Sequence, residues 1–354
     1  MLTRRRLSGA LGGRKSLTLG WRRVSIGRAD GSVGNNLEAV LAMGFLGKLF
    51  TRKPYRVIKR TGYTTDLVMF GPDGNWLTAF VGGDSVSLVD ADSGAVVRSL
   101  STLKALPQCL AVSPDGKWVA GGVIDPNAVI VWDARTGQPG PGVTHVWADS
   151  VEFSPDAKWF AVGEHGGTVY LFPMPAATSD KTITLGTHSE KYARDVPAVK
   201  FSPDGAFLIS ASVNGTVRIW NLSTRAEVKC LQMAEPHDLA ISPSGKVFAV
   251  ACGDGHVRVF NLPGGQSLRA IKISDDRICS VAISPDGKWL ASDGGGRNGL
   301  VVTEFESGRR VFESDGHVNR YLTFHPCDST VLVTACNALE KDDGGVRRWN
   351  LPLR

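Results

Sequence analysis

The chain has 354 residues, 42% of them hydrophobic and 21% charged. That is enough to bury a large core, and no run approaches the eighteen or so consecutive apolar residues of a helical membrane span. The formal charge of +6 misleads as an average, because residues 1–42 carry eight Lys or Arg against two acids and residues 43–354 sum to zero. From residue 61 onward 32 acids face 26 bases, which excludes a global basic field steering the molecule onto nucleic acid.

Residues 1–54 are basic, rich in Arg, Gly and Ser over 1–42, and show no strand alternation. They read as a disordered basic arm. Other readings of this stretch stay open: a presequence, since no acid precedes Asp30; a twin-arginine signal at Thr3-Arg4-Arg5-Arg6-Leu7, which Arg14-Lys15 interrupts; or a true translation start at Met43.

Tyr55-Arg56-Val57-Ile58-Lys59-Arg60 alternates like a strand but has no partner close in sequence. After it, the tetrapeptide Ser-Pro-Asp-Gly or a near relative occurs seven times, with prolines at Pro72, Pro114, Pro155, Pro203, Pro243, Pro285 and Pro326. The intervals are 42, 41, 48, 40, 42 and 41 residues, and residues 61–354 give seven units of 42. Four and two residues before each proline stand apolar pairs such as Leu110/Val112 and Val199/Phe201. That spacing puts both side chains on one face of a strand.

Pro-Asp-Gly then makes the turn, the proline presetting φ and the glycine accepting a positive one. A second strand follows, as in Trp118-Val119-Ala120, and a third, clearest in Thr216–Asn221 and His256–Asn261. A fourth follows, such as Ala95-Val96-Val97-Arg98. Seven such units predict an all-β fold: a seven-bladed β-propeller with four antiparallel strands per blade, occupying residues 55–354 as one domain. The last unit ends after its third strand, so the orphan run 55–60 is expected to complete blade seven and close the ring.

With Val131-Trp132-Asp133, Ile219-Trp220-Asn221, Arg348-Trp349-Asn350 and the pair Gly316-His317, the chain resembles the WD-repeat family over residues 55–354. The match is degenerate, because Val89-Asp90, Phe172-Pro173, Phe260-Asn261 and Thr303-Glu304 fill the Trp-Asp place elsewhere. Most repeats also lack the His of the family's buried His–Ser/Thr–Asp–Trp network, so blade stability is expected to rest more on apolar packing. The resemblance implies an interaction scaffold, and it implies partner contacts at the mouth of the central channel. The ring of positions six residues before each proline reads Asp66, Gln108, Asp149, Pro197, His237, Cys279 and Arg320.

One face is nominated for binding. The links Asp92-Ser93-Gly94 and Arg135-Thr136-Gly137 are short, whereas Val123–Ala128, Gly186–Val196, Gly294–Gly299 and Cys336–Gly345 vary and open on the opposite face. Trp147 has no counterpart in other repeats and sits in a blade-to-blade loop. It reads as an interface anchor, or as a ring tucked under its own loop.

The partner-binding set is therefore Asp66, Gln108, Trp147, Asp149, His237 and Arg320, with no cofactor, no metal and no catalysis expected. Asp66, Asp149 and His237 fall on blades one, three and five, and Arg320 opposes a cation. No phosphate loop, nucleophile elbow or His-Glu-x-x-His occurs, and the six cysteines lack Cys-x-x-Cys spacing. The expected role is a cytoplasmic, monomeric propeller holding proteins or peptides within a larger assembly. Two alternatives remain: an enzyme or a small-ligand- or metal-binding propeller using the channel mouth, and tethering to nucleic acid or membrane by the basic arm.

Overall fold

The computed structural model describes residues 55–60, 67–81, 85–100, 107–124, 127–140, 142–174, 181–188, 195–293, 298–315, 319–336 and 345–353. The expectations for residues 1–54, Asp66, Gly316-His317, the side chain of Arg320 and the tips of the four long loops fall outside them. Among the described residues, 28 strands form seven antiparallel sheets of four. Six sheets take their strands in chain order, over residues 69–99, 107–144, 148–187, 198–232, 236–272 and 281–315, and are blades one to six. The innermost strands touch in succession from blade one to blade seven, and blade seven touches blade one. The domain is a seven-bladed β-propeller. No helix among the described residues is long and apolar enough to cross a membrane.

The turn after each innermost strand explains the repeat's conserved grammar. In blade two the Ser113 hydroxyl donates to Asp115 at 2.7 Å and accepts the Trp118 amide at 2.9 Å, while the Lys117 amide donates to Asp115. Blades three, four and six repeat this arrangement around Ser154, Ser202 and Ser284. The serine hydroxyls hold the Asp156 and Asp204 carboxyls below their ordinary range.

The next residue has φ near +70° in Gly74, Gly116, Gly205, Gly245 and Gly287, but blade three places Ala157 there at φ 55°. A Cβ in that conformation carries steric strain. Ala157→Gly is therefore expected to raise stability by about 0.5–1 kcal/mol, read as a higher urea midpoint with an unchanged slope.

The hydrophobic core is divided among the blade interfaces. Seven buried clusters occur, one between each pair of neighbouring blades, including the pair seven and one. Both faces of each sheet are thus covered, which is why the strands read as near-continuous apolar runs. Trp132, Trp220 and Trp349, in the family's Trp place, are all buried.

Blade four supplies a polar network as well. His188 Nε2 and Trp220 Nε1 each lie 2.8 Å from Ser210 Oγ, and His188 Nδ1 lies 2.6 Å from Thr216 Oγ1, which donates to Asn214. Here Asn214 stands beside the hydroxyl, and His188 comes from the long lead-in loop, where the sequence reading found no network.

The ring closes as expected. Tyr55–Arg60 pairs antiparallel with Gly345–Asn350, Tyr55 opposite Trp349 and Val57 opposite Arg347. The Tyr55 ring packs on Trp349 at 4.8 Å, and the buried Arg347 guanidinium lies 4.5 Å from the Tyr55 ring centre. Ile58 is buried in the cluster between blades seven and one, with Val89, Ala91 and Val333. Arg348 reaches across the same seam to Asp92 and the Ala91 carbonyl.

Candidate functional site at the channel mouth

Five of the seven positions read from the repeat, Gln108, Asp149, Pro197, His237 and Cys279, line one open cavity of about 460 Å³. A backbone irregularity recurs at this ring. In blades two, three, five and seven, the strand pairing skips Gln108, Asp149, His237 and Arg320, each opposite an unbroken partner strand. Such β-bulges re-aim a side chain and end regular pairing.

Of the expected binding set, the structure brings Gln108, Trp147, Asp149 and His237 together. Asp66 lies outside the described residues, and only the backbone of Arg320 is described. Trp147 is half-buried rather than freely exposed, since its ring stacks on His165 at 3.9 Å and 9°. The His165 amide also donates to the Trp147 carbonyl at 2.9 Å. Ile124, Arg277 and Tyr321 complete the rim.

His165, Asp195 and Arg277 are functional candidates that the repeat offset missed. His165 sits in the turn between Trp159–Glu164 and Thr168–Pro173, and Asp195 lies just before Ala198–Phe201. His165 Nδ1 is 3.3 Å from Asp149 Oδ1 and 3.0 Å from Asp195 Oδ1. The Asp149 carboxyl is pushed up to about 6, by burial first and then by the Asp195 charge, against the opposing pull of His165 and the Val196 amide. The signal was available in the loops assigned to this face, because a His in a second-to-third-strand turn opens beside the ring.

Below the rim, polar groups tie blade to blade. Asp149 Oδ2 accepts the Val196 amide at 3.2 Å, and the Ser150 hydroxyl donates to the Val196 carbonyl at 2.7 Å. Asp238 Oδ2 likewise accepts the Ser280 hydroxyl and the Val281 amide. Lys200 bonds Glu152 at 2.8 Å. Burial works against its ammonium, but the Glu152 and Asp238 charges outweigh it and hold the Lys200 pKa above its ordinary value.

Asp293, buried in blade six, accepts the Cys279 and Ser280 amides, yet burial pushes its carboxyl up to about 7, aided by the Asp238 charge. Its folded pKa exceeds the unfolded value, so the folded state binds the proton more tightly between pH 4 and 7. Asp293 then stabilises the fold at low pH, and that contribution falls as pH rises through 7. Asp293→Asn is expected to remove this loss, about 2–4 kcal/mol over the window, seen as a flatter plot of urea midpoint against pH.

The family description "WD domain, G-beta repeat" matches residues 177–221, 228–261 and 265–302. The first of these segments contains the whole His188–Ser210–Trp220 network. Among curated proteins, the chain is 25% identical over 238 residues to the periodic tryptophan protein 2 homolog of Dictyostelium discoideum, covering 64% of this chain and 25% of that protein. It is 32% identical over 123 residues to transcription initiation factor TFIID subunit 5 of Arabidopsis thaliana, covering 34% of this chain and 15% of that protein. The chain thus spans a quarter or less of the length of these two relatives.

Among solved structures, the β-propeller domain of Cps50 (Swd1) from Myceliophteria thermophila superposes with a TM-score of 0.71 at 19% identity, covering 84% of this chain and 99% of that one. Fold and repeat grammar define a β-propeller of tandem four-stranded units. With the matched repeats, they place the chain in the WD-repeat family.

Proposed function

We propose that this protein is a non-catalytic interaction scaffold that holds a protein or peptide partner at the channel mouth. WD-repeat propellers serve generally as scaffolds in assemblies, and one relative is by name a subunit of a transcription initiation factor.

The observation that carries the reading is where apolar side chains meet water. Six large hydrophobic residues are exposed among those described. Four of them (Val96, Val97, Val228 and Leu268) lie on outermost strands, while Ile124 and Tyr321 stand at the mouth beside half-buried Trp147. Aromatic anchors on a charged rim are the composition of interface hot spots. The rim is also divided in charge, with Asp149 and Asp195 at blades three and four and Arg277 at blade six, while burial and then the Arg277 charge lower the His237 pKa and favour its neutral form. It therefore suits a segment carrying both an acid and a base around an apolar side chain. A cytoplasmic location belongs to the same proposal, and the reduced thiols of Cys109, Cys230, Cys252 and Cys327 favour a reducing compartment.

Affinity purification from the native cell, comparing wild type with Trp147→Ala/Arg277→Glu at equal melting temperature, tests the reading. The partner recovered with wild type is expected to drop at least tenfold with the variant, the loss of one hot spot. Equal recovery of the same partners by both would move the binding face elsewhere.

A further inference from the structure

We propose that Asp149, His165 and Asp195 form a site for a first-row divalent metal ion of the zinc type. One ligand atom from each residue lies within 4.8 Å of the others. The imidazole nitrogen stands 3.3 Å and 3.0 Å from the two carboxylate oxygens, close to the roughly 3.3 Å that separates donors about 2.0 Å from a tetrahedral ion. A hydrogen bond serves this arrangement poorly, because one ring nitrogen carries at most one proton and two acceptors compete for it. A cation at the centre satisfies all three donors at once and also relieves the repulsion between the two carboxylates.

The donors are held for that purpose from outside the trio. Trp147 lies flat against the His165 ring and fixes its plane. The Val196 amide occupies Asp149 Oδ2, leaving Oδ1 to face the imidazole. Orientation of ligands by outer contacts of this kind accompanies metal sites. The trio lines the 460 Å³ cavity, so an ion has a path from solvent and a fourth position open to water or to a donor from outside. The mixed nitrogen and oxygen set selects zinc, cobalt or nickel over magnesium and calcium, which prefer all-oxygen shells. The sequence alone offered Asp66, Asp149 and His237 as the mouth residues that could ligate a cation, whereas this site draws His165 and Asp195 from the neighbouring loops.

The inference stands apart from partner docking, and its test involves no partner. Full-length protein is stripped with a chelator, then titrated with Zn²⁺ by calorimetry and with Co²⁺ by visible absorption. Asp195→Asn, His165→Gln and Asp149→Asn are run beside it, with Cys327→Ser as a control for the exposed thiol. Wild type and the control are expected to take up one more equivalent of Zn²⁺ than the trio variants, with each variant weakening that site at least tenfold and Mg²⁺ failing to compete. Among the described residues no backbone amide bonds the Asp195 carboxylate, which meets His165 alone in an ion pair, so Asp195→Asn remains decisive if Asp149→Asn fails to fold. Zinc uptake by wild type that equals that of well-folded Asp195→Asn and His165→Gln, or no uptake by either, overturns the assignment.

Discussion

Deleting Tyr55–Arg60 is expected to abolish cooperative unfolding of the whole propeller, although the deletion removes only one strand. The strand supplies the outer edge of blade seven through five paired positions. It also covers Trp349 with Tyr55 and places Ile58 in the cluster that seals blade seven to blade one. Without it, Gly345–Asn350 becomes an open edge and the seam loses apolar cover, while the buried Arg347 loses the aromatic face it packs on. A domain's net stability is only about 5–15 kcal/mol, and losing one fully buried aliphatic side chain alone costs about 2–5 kcal/mol. Circular dichroism melts should show a broad, low-temperature transition for the deletion. A sharp transition at the wild-type temperature would mean that the ring closes by some other contact. A milder probe of the same seam is Gly94→Ala, since a Cβ there would stand 1.8 Å from the Ile58 carbonyl oxygen.

Replacing His188 should have the second largest effect. The side chain is buried and bridges Ser210 to Thr216, so His188→Ala strands the two hydroxyls that Trp220 and Asn214 depend on. Loss of two buried hydrogen bonds and the ring's packing puts the cost at about 3–4 kcal/mol.

The same residue sets an acid limit. Burial, and then the Arg218 charge, depress the His188 pKa to about 3, while the unfolded chain titrates near 6.5. The unfolded state therefore binds more protons between those values. The His188 contribution is complete above pH 6.5 and falls as pH drops toward 3, by about 1.4 kcal/mol per unit, opposite in sign to that of Asp293. Between pH 6.5 and 4.5 the urea midpoints of wild type should fall relative to those of His188→Gln, the Asp293 trend being common to both. Parallel curves would show that His188 does not govern acid sensitivity.

Fold and site were legible in the sequence to different depths. The Ser-Pro-Asp-Gly turns carried the fold because each residue there has one job: the Ser113 hydroxyl bonds Asp115 and closes the turn, and the next glycine takes the positive φ. The closing strand was legible by elimination, since a lone alternating run must find an edge. The ring of mouth positions followed from a constant offset, and five of them do share one cavity.

What the repeat hid is what departs from it. At the offset of His165 from its proline the next two blades carry Val213 and Gly253, so no repeated residue type marks the position, although its turn opens on the binding face. His188 belongs to the longest interval between prolines, where the offset from the turn no longer places a side chain, whereas Asp195 stands eight residues before Pro203, as Trp147 does before Pro155, outside the ring read at six. Trp147 was legible as exceptional, but its partner was not, because stacking on His165 depends on where two loops of one blade converge.

The central claim is that partners meet the protein at the channel mouth, and a photocrosslinking amino acid placed at Ile124 tests it most directly. The control carries the same group at Val97, which is also exposed but lies on the outermost strand of blade one. In the native cell, irradiation should join a partner to the Ile124 variant, with the adduct reduced at least tenfold when Trp147→Ala is added, and should leave the Val97 variant free. Equal adducts at both positions, or adducts at Val97 alone, would contradict the account and place the binding surface on the outer edge of the blades.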